Sequence, residues 1–177
     1  MKKTFLFLLI ASLFVFSACT KDNDKDRPDG PRTSVPSDLQ GTIMYGNFSL
    51  AEYWSQNPHD YLGNALEFAL AFQFEANGNY TQYFTSQAVT GGIVTYQQAI
   101  THGTVEINEA TKTIKTHPSK SRYKRTRNGQ VLEERDLRDD EISSVTYHYT
   151  TGTEPNGTKA VYLTLGGTNS TLTFLRQ

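Results

Sequence analysis

Large apolar side chains alternate with small or polar ones most clearly over residues 66–74. Leu66, Phe68, Leu70, Phe72 and Phe74 share one face, and Glu67, Ala69, Ala71 and Gln73 share the other. A period of two sustained over this length predicts a strand with one buried face. At about 1.5–3 kcal/mol for each large side chain fully buried, that face predicts a substantial part of a core. Ala76-Asn77-Gly78-Asn79 follows, and Asn-Gly suits the positive φ of a tight hairpin turn. The next strand is expected over 80–87, with Tyr80, Gln82 and Phe84 on one face and Thr81, Tyr83 and Thr85 on the other.

The same punctuation continues to the end of the chain. Gly91-Gly92 precedes a long extended stretch over 93–107, and Asn108-Glu109-Ala110 turns it into a piece at 112–116 that Pro118 is expected to end. Strands at 121–127 and 130–136 flank Asn128-Gly129, and a two-residue loop there would set Lys124 opposite Glu133. Further strands fit 144–150, 159–165 and 171–175, separated by Glu154-Pro155-Asn156-Gly157 and Gly166-Gly167. The pattern predicts an all-β fold, an antiparallel up-and-down meander of eight to ten strands. Such a meander closes most simply into a barrel, which removes exposed sheet edges, with a sandwich as the alternative.

The start of the chain follows a different rule. Lys2 and Lys3 precede an apolar-to-small stretch over 5–16 that leads into Ser17-Ala18-Cys19. A basic start, a short greasy middle and small residues at the cut make a signal peptide. The apolar run is about half of what a membrane-spanning helix needs. Ser17, Ala18 and the sole cysteine, Cys19, resemble the bacterial lipobox, with Phe16 in place of its usual leucine. That resemblance implies a diacylglyceryl group on the Cys19 thiol, cleavage before it, and an anchor of several acyl chains in a membrane. Thr20-Lys21-Asp22-Asn23-Asp24-Lys25-Asp26 resembles the surface-export signal of Bacteroidota lipoproteins, and Pro28, Pro31 and Pro36 give linker composition. The expected organisation is a signal peptide at 1–18, a lipidated cysteine and disordered tether at 19–38, and one folded domain at 39–177. The implied location is the outer membrane, facing outward.

Composition narrows the function by exclusion. Loss of Lys2 and Lys3 with the signal leaves fifteen of the seventeen basic residues against eighteen acidic ones, a net charge of −3. Nucleic acid is not an expected partner, since it wants a concentrated basic face. With Cys19 lipidated, no thiol remains for disulfide, metal or redox chemistry. Ten tyrosines and many threonines agree with a strand-rich domain.

Gly41-Thr42, the segment 72–80, Gly103-Thr104-Val105-Glu106-Ile107 and the run 113–120 together resemble lipocalin-like domains of Bacteroidota lipoproteins. The resemblance spans about 39–177 and implies a barrel with a possible apolar cavity. Ile43 stands where lipocalins usually place a tryptophan, and the only tryptophan is Trp54. On this reading Leu66, Phe68, Leu70, Phe72 and Phe74 form a wall against a small hydrophobic or amphiphilic ligand, or fill a solid interior. Tyr53 and Trp54 fall in the connection that covers the mouth in lipocalins. The alternative is an accessory module that docks on a glycan or an envelope protein through exposed loops.

No catalytic set is recognisable: there is no nucleophile elbow, phosphate loop or metalloprotease helix. His102 and Glu106 share a strand face that His148 can approach from another strand, but a polar strand face explains them better than a metal site. No enzyme activity, cofactor or metal is expected. The basic run Lys120, Arg122, Lys124, Arg125 and Arg127 meets Glu133, Glu134 and Asp136 across its hairpin and reads as self-neutralising.

Overall fold

The computed structural model describes residues 30–56 and 67–177. The expected signal peptide (1–18), Cys19, the first part of the expected tether and Leu66 lie outside the described residues. Within them the strands are β1 (Gly41–Tyr45), β2 (Glu67–Phe74), β3 (Asn79–Thr90), β4 (Ile93–Asn108), β5 (Thr113–Arg127), β6 (Gln130–Asp136), β7 (Thr146–Thr153), β8 (Lys159–Leu165) and β9 (Thr171–Arg176). They form one antiparallel sheet in the order β4-β3-β2-β1-β9-β8-β7-β5-β6. An additional β4–β5 pairing joins the sheet to itself, so eight strands run round in a ring and β6 lies outside it. The meander expected from the sequence is therefore present.

Turn chemistry sets the hairpins. Gly91 and Gly92 both take positive φ, and so do Asn128 and Gly129. Two left-handed central residues make the turn whose twist matches that of the flanking strands. These turns pair Thr90 with Ile93 and Arg127 with Gln130.

Alternation along the strands sets the core. Leu70, Phe72 and Phe74 pack inside the ring with Ile43, Val105 and Phe174. The Phe72 ring stacks on Phe74 with centroids 5.4 Å apart and meets Phe174 at 5.7 Å. Phe68, on the same face of β2, is 42% exposed and touches Tyr45, with ring centroids 5.2 Å apart. The apolar row is thus buried toward one end of the ring and open at the other.

Three expectations need correction. Residues 30–38, read as tether, belong to the domain. Val35 and Leu39 sit in the core, the Thr33 N–H donates to Val105 O at 3.0 Å, and the Val35 N–H donates to Ala76 O at 3.1 Å. Proline content suggested a linker, but one buried valine and two backbone bonds tie the segment down. Pro118 does not end a strand: β5 continues through it, with a register shift opposite His102 and Gly103. A bulge lets a strand accept a residue that has no N–H to donate. A second shift, between Arg125 and Thr126, moves the hairpin register by one, so Glu133 faces Arg125 and Lys124 faces Glu134. Neutralisation survives this, because Arg125 lies 3.2 Å from Glu133 and Arg122 lies 2.9 Å from Glu134.

Candidate functional site

The fork in the sheet opens the ring on one side. β5 pairs with β7 only over Thr113–Lys115 and then turns to β6. The connection 137–145, which includes a 3-10 turn at Asp139–Glu141, bridges the gap as a strap. Between strap and ring lies a cleft of about 230 Å³. Its strand wall presents Gln82, Thr101, Thr116 and Ser121, all on positions that point into the ring. Tyr80, Phe84 and Tyr147 supply aromatic surface, and Leu137, Ile142 and Val145 supply the apolar underside of the strap.

The polar groups of this wall are partly spent on each other. Thr101 and Ser121 share a hydrogen bond of 2.8 Å, and Tyr80 shares one with Thr116. Thr116 also ties the wall to the strap: its N–H donates to Val145 O at 2.8 Å, and its hydroxyl accepts from the Val145 N–H at 3.1 Å. Burial pushes the Tyr80 hydroxyl well above the usual phenol range and raises that of Tyr147, so both remain protonated.

Ion pairs hold the other end of the strap. Arg135 donates from both terminal nitrogens to the two oxygens of Glu141, each at 2.7 Å, and from Nε to Glu133 at 2.7 Å. The Arg138 N–H adds a bond of 2.9 Å to Glu141. Hydrogen bonds from Arg135 hold the Glu141 carboxyl down at about 2. The pair is therefore fully formed above the ordinary carboxylate range and is lost only as pH falls through about 2. At the strap's far end His117 Nε2 lies 2.7 Å from Glu106, and its Nδ1 lies 3.3 Å from Ser144 Oγ. The order serine–histidine–glutamate is that of a relay. However, the serine contact is longer than the roughly 2.6–3.2 Å of a nucleophile paired with its base, and Ser144 is exposed. The chain acts as a tether.

Residues singled out in the sequence fall elsewhere. Phe72, Phe74 and Leu70 fill the ring and none of them lines the cleft, so the proposed wall is packing. Tyr53 and Trp54 do not cover a mouth. They lie against the outer face of β2–β4, where Tyr53 packs with Met44, Ala69, Ala71 and Tyr96. The Tyr53 hydroxyl accepts from the Ala99 N–H at 3.0 Å and reaches the carbonyls of Ala99 and Phe84. Trp54 stands edge-on to Tyr53 with centroids 5.1 Å apart, and its carbonyl accepts from Lys124 at 3.0 Å. Both aromatics staple the 46–56 loop to the sheet.

His102 contacts Thr81 at 3.1 Å, Glu106 engages His117, and His148 pairs across to Thr113 and Thr164. No group of three metal-ligating side chains forms among the described residues. A second cleft, of about 260 Å³, lies at the closed end of the ring beside Asp38, Lys159 and Arg176. The Arg176 guanidinium there is turned to the carbonyls of Ser37 and Gln40. Sequence reasoning missed the fork cleft because its strap, 137–145, is irregular and its Asp139-Asp140-Glu141 run carries no strand period.

No family model matches the chain, and neither a curated protein nor a solved structure is significantly similar to it.

Proposed function

We propose that the protein is a lipid-anchored outer-membrane lipoprotein whose ring is a lipocalin-like β-barrel that binds a small hydrophobic or amphiphilic molecule. The observation behind binding is the fork cleft, where an inward-facing strand wall of hydroxyl and amide groups meets apolar strap residues. Clefts that mix apolar surface with a few convergent polar groups suit small-molecule sites. The anchor rests on Cys19, the only cysteine, at the end of a signal-like stretch. A folded domain from Gly30 onward then hangs from a short tether, clear of the lipid.

Replacing Cys19 by alanine should move the protein from the membrane to the soluble fraction with an unchanged thermal unfolding curve. An unmodified Cys19 thiol in the membrane-extracted parent protein, read by mass spectrometry, would remove the anchor from the proposal. That soluble protein, recovered from its host and extracted with organic solvent, should yield one stoichiometric small molecule by mass spectrometry. Adding Ala99→Leu, which fills the strand wall of the cleft, should abolish it. An empty extract would favour the alternative, an accessory module that binds a glycan or an envelope protein. One feature suits that alternative: Val89, Val131 and Leu132 are exposed near the tips of the β3–β4 and β5–β6 hairpins.

A further inference from the structure

We infer that the cleft selects an uncharged molecule of about one ring, bearing hydroxyl, carbonyl or amide groups on one edge, rather than an acyl chain or an ion. This rests on the binding reading above and narrows it. The size comes from the volume. A cavity of about 150 Å³ is enough for benzene, so about 230 Å³ holds one substituted ring. A long acyl chain would exceed that volume, and Phe72, packed against Tyr80 and Tyr147, closes the ring behind the cleft.

The charge preference comes from what faces the space. Among the described residues Glu141 is the only carboxylate on the lining and no basic residue lines it, and both Glu141 oxygens are occupied by Arg135. The two tyrosines on the lining stay neutral because burial disfavours their anions. A carboxylate or ammonium entering the cleft would give up hydration without meeting an opposite charge. A neutral ligand loses far less and gains the Gln82 amide and the Thr101 and Ser121 hydroxyls on one side. Its other side would rest on Phe84, Ile142 and Val145. This two-sided lining is why a purely apolar ring is also disfavoured: it would cover the Gln82 amide without offering it a hydrogen bond.

Three probes of nearly equal shape separate these cases. They are 4-hydroxybenzamide, 4-hydroxybenzoate and 4-hydroxybenzylamine, which are neutral, anionic and cationic at pH 7. Titrated into the soluble Cys19→Ala protein and followed by amide NMR shifts, the neutral probe should bind at least tenfold more tightly than either ion. The shifts should centre on Gln82, Thr101 and Ser121. Gln82→Leu should weaken the benzamide several-fold while p-cresol, which lacks the amide, gains. Equal or tighter binding of either ion would overturn the charge inference while leaving a binding protein in place. So would a charged or long-chain cargo in the host extract. Failure of every probe together with an empty extract would overturn both this inference and the binding proposal.

Discussion

Replacing Phe72 by alanine lowers the unfolding free energy by about 3–5 kcal/mol, the range for large aromatics removed from a core. Phe72 has no exposed surface and lies at the centre of the aromatic packing inside the ring. Besides Phe74 and Phe174, its ring meets Tyr147 edge-on at 5.7 Å and Tyr80 at 6.4 Å. The cavity left behind cannot close easily, since its walls come from β2, β3, β7 and β9, which the ring holds at fixed distances. Phe68→Ala is the internal comparison, being the same side chain on the same face of the same strand. With Phe68 42% exposed, that substitution should cost about 1 kcal/mol or less. Urea denaturation at constant slope gives both values. Equal midpoint shifts for the two variants would show that burial does not change along β2.

The contrast between these two phenylalanines shows how far the pattern of residues reaches. Alternation correctly assigned Leu70, Phe72 and Phe74 to one face, because a period of two is a property of the backbone and needs no partner. It could not say where along the row burial stops, since that depends on the strands opposite. Turns were legible for a similar reason: Asn128-Gly129 and Gly91-Gly92 act locally through φ. The outer-face contact of Tyr53 was harder to see, although β2 held a clue. Ala69 and Ala71, on the face away from the core, are small rather than polar, and both are fully buried beneath the 46–56 loop. An outward face built of alanine marks a place where another segment approaches the strand closely.

Bulges were the least legible feature, and the cleft depends on one of them. A bulge arises from the fit between two strands distant in sequence, so neither strand announces it. At the shift, Lys120 faces His102 and Pro118 faces Gly103, leaving Ser119 over. The extra residue swings the second half of β5 toward β6 and away from β7, which opens the side of the ring that the strap covers. Reading Pro118 as a terminator therefore missed both the continuity of β5 and the fork.

Gly103 is the residue that makes this crossing possible, and Gly103→Ala should cost about 3 kcal/mol, the upper part of the usual overpacking range. An added Cβ would overlap the carbonyl oxygen of His117, and would sit 2.7 Å from a Tyr80 ring carbon and 2.8 Å from Pro118 Cα. Two of those three obstacles are backbone, so a rotamer change cannot relieve them. Only a wider separation of β4 and β5 can. That displacement would draw His117 away from Glu106 and Tyr80 away from Thr116, and so disturb the two residues, His117 and Thr116, that hold one end of the strap. The expected result is thus double: a lower urea midpoint, and NMR shifts at His117, Ser144 and Val145 that a simple loss of stability would not produce. An unfolding free energy within about 0.5 kcal/mol of the parent would mean that β4 and β5 do not approach this closely at the bulge. If instead stability falls while the strap resonances stay put, the bulge and the strap are independent, and the strap is held by the Arg135–Glu141 pair and the Thr116–Val145 bonds whatever the bulge does.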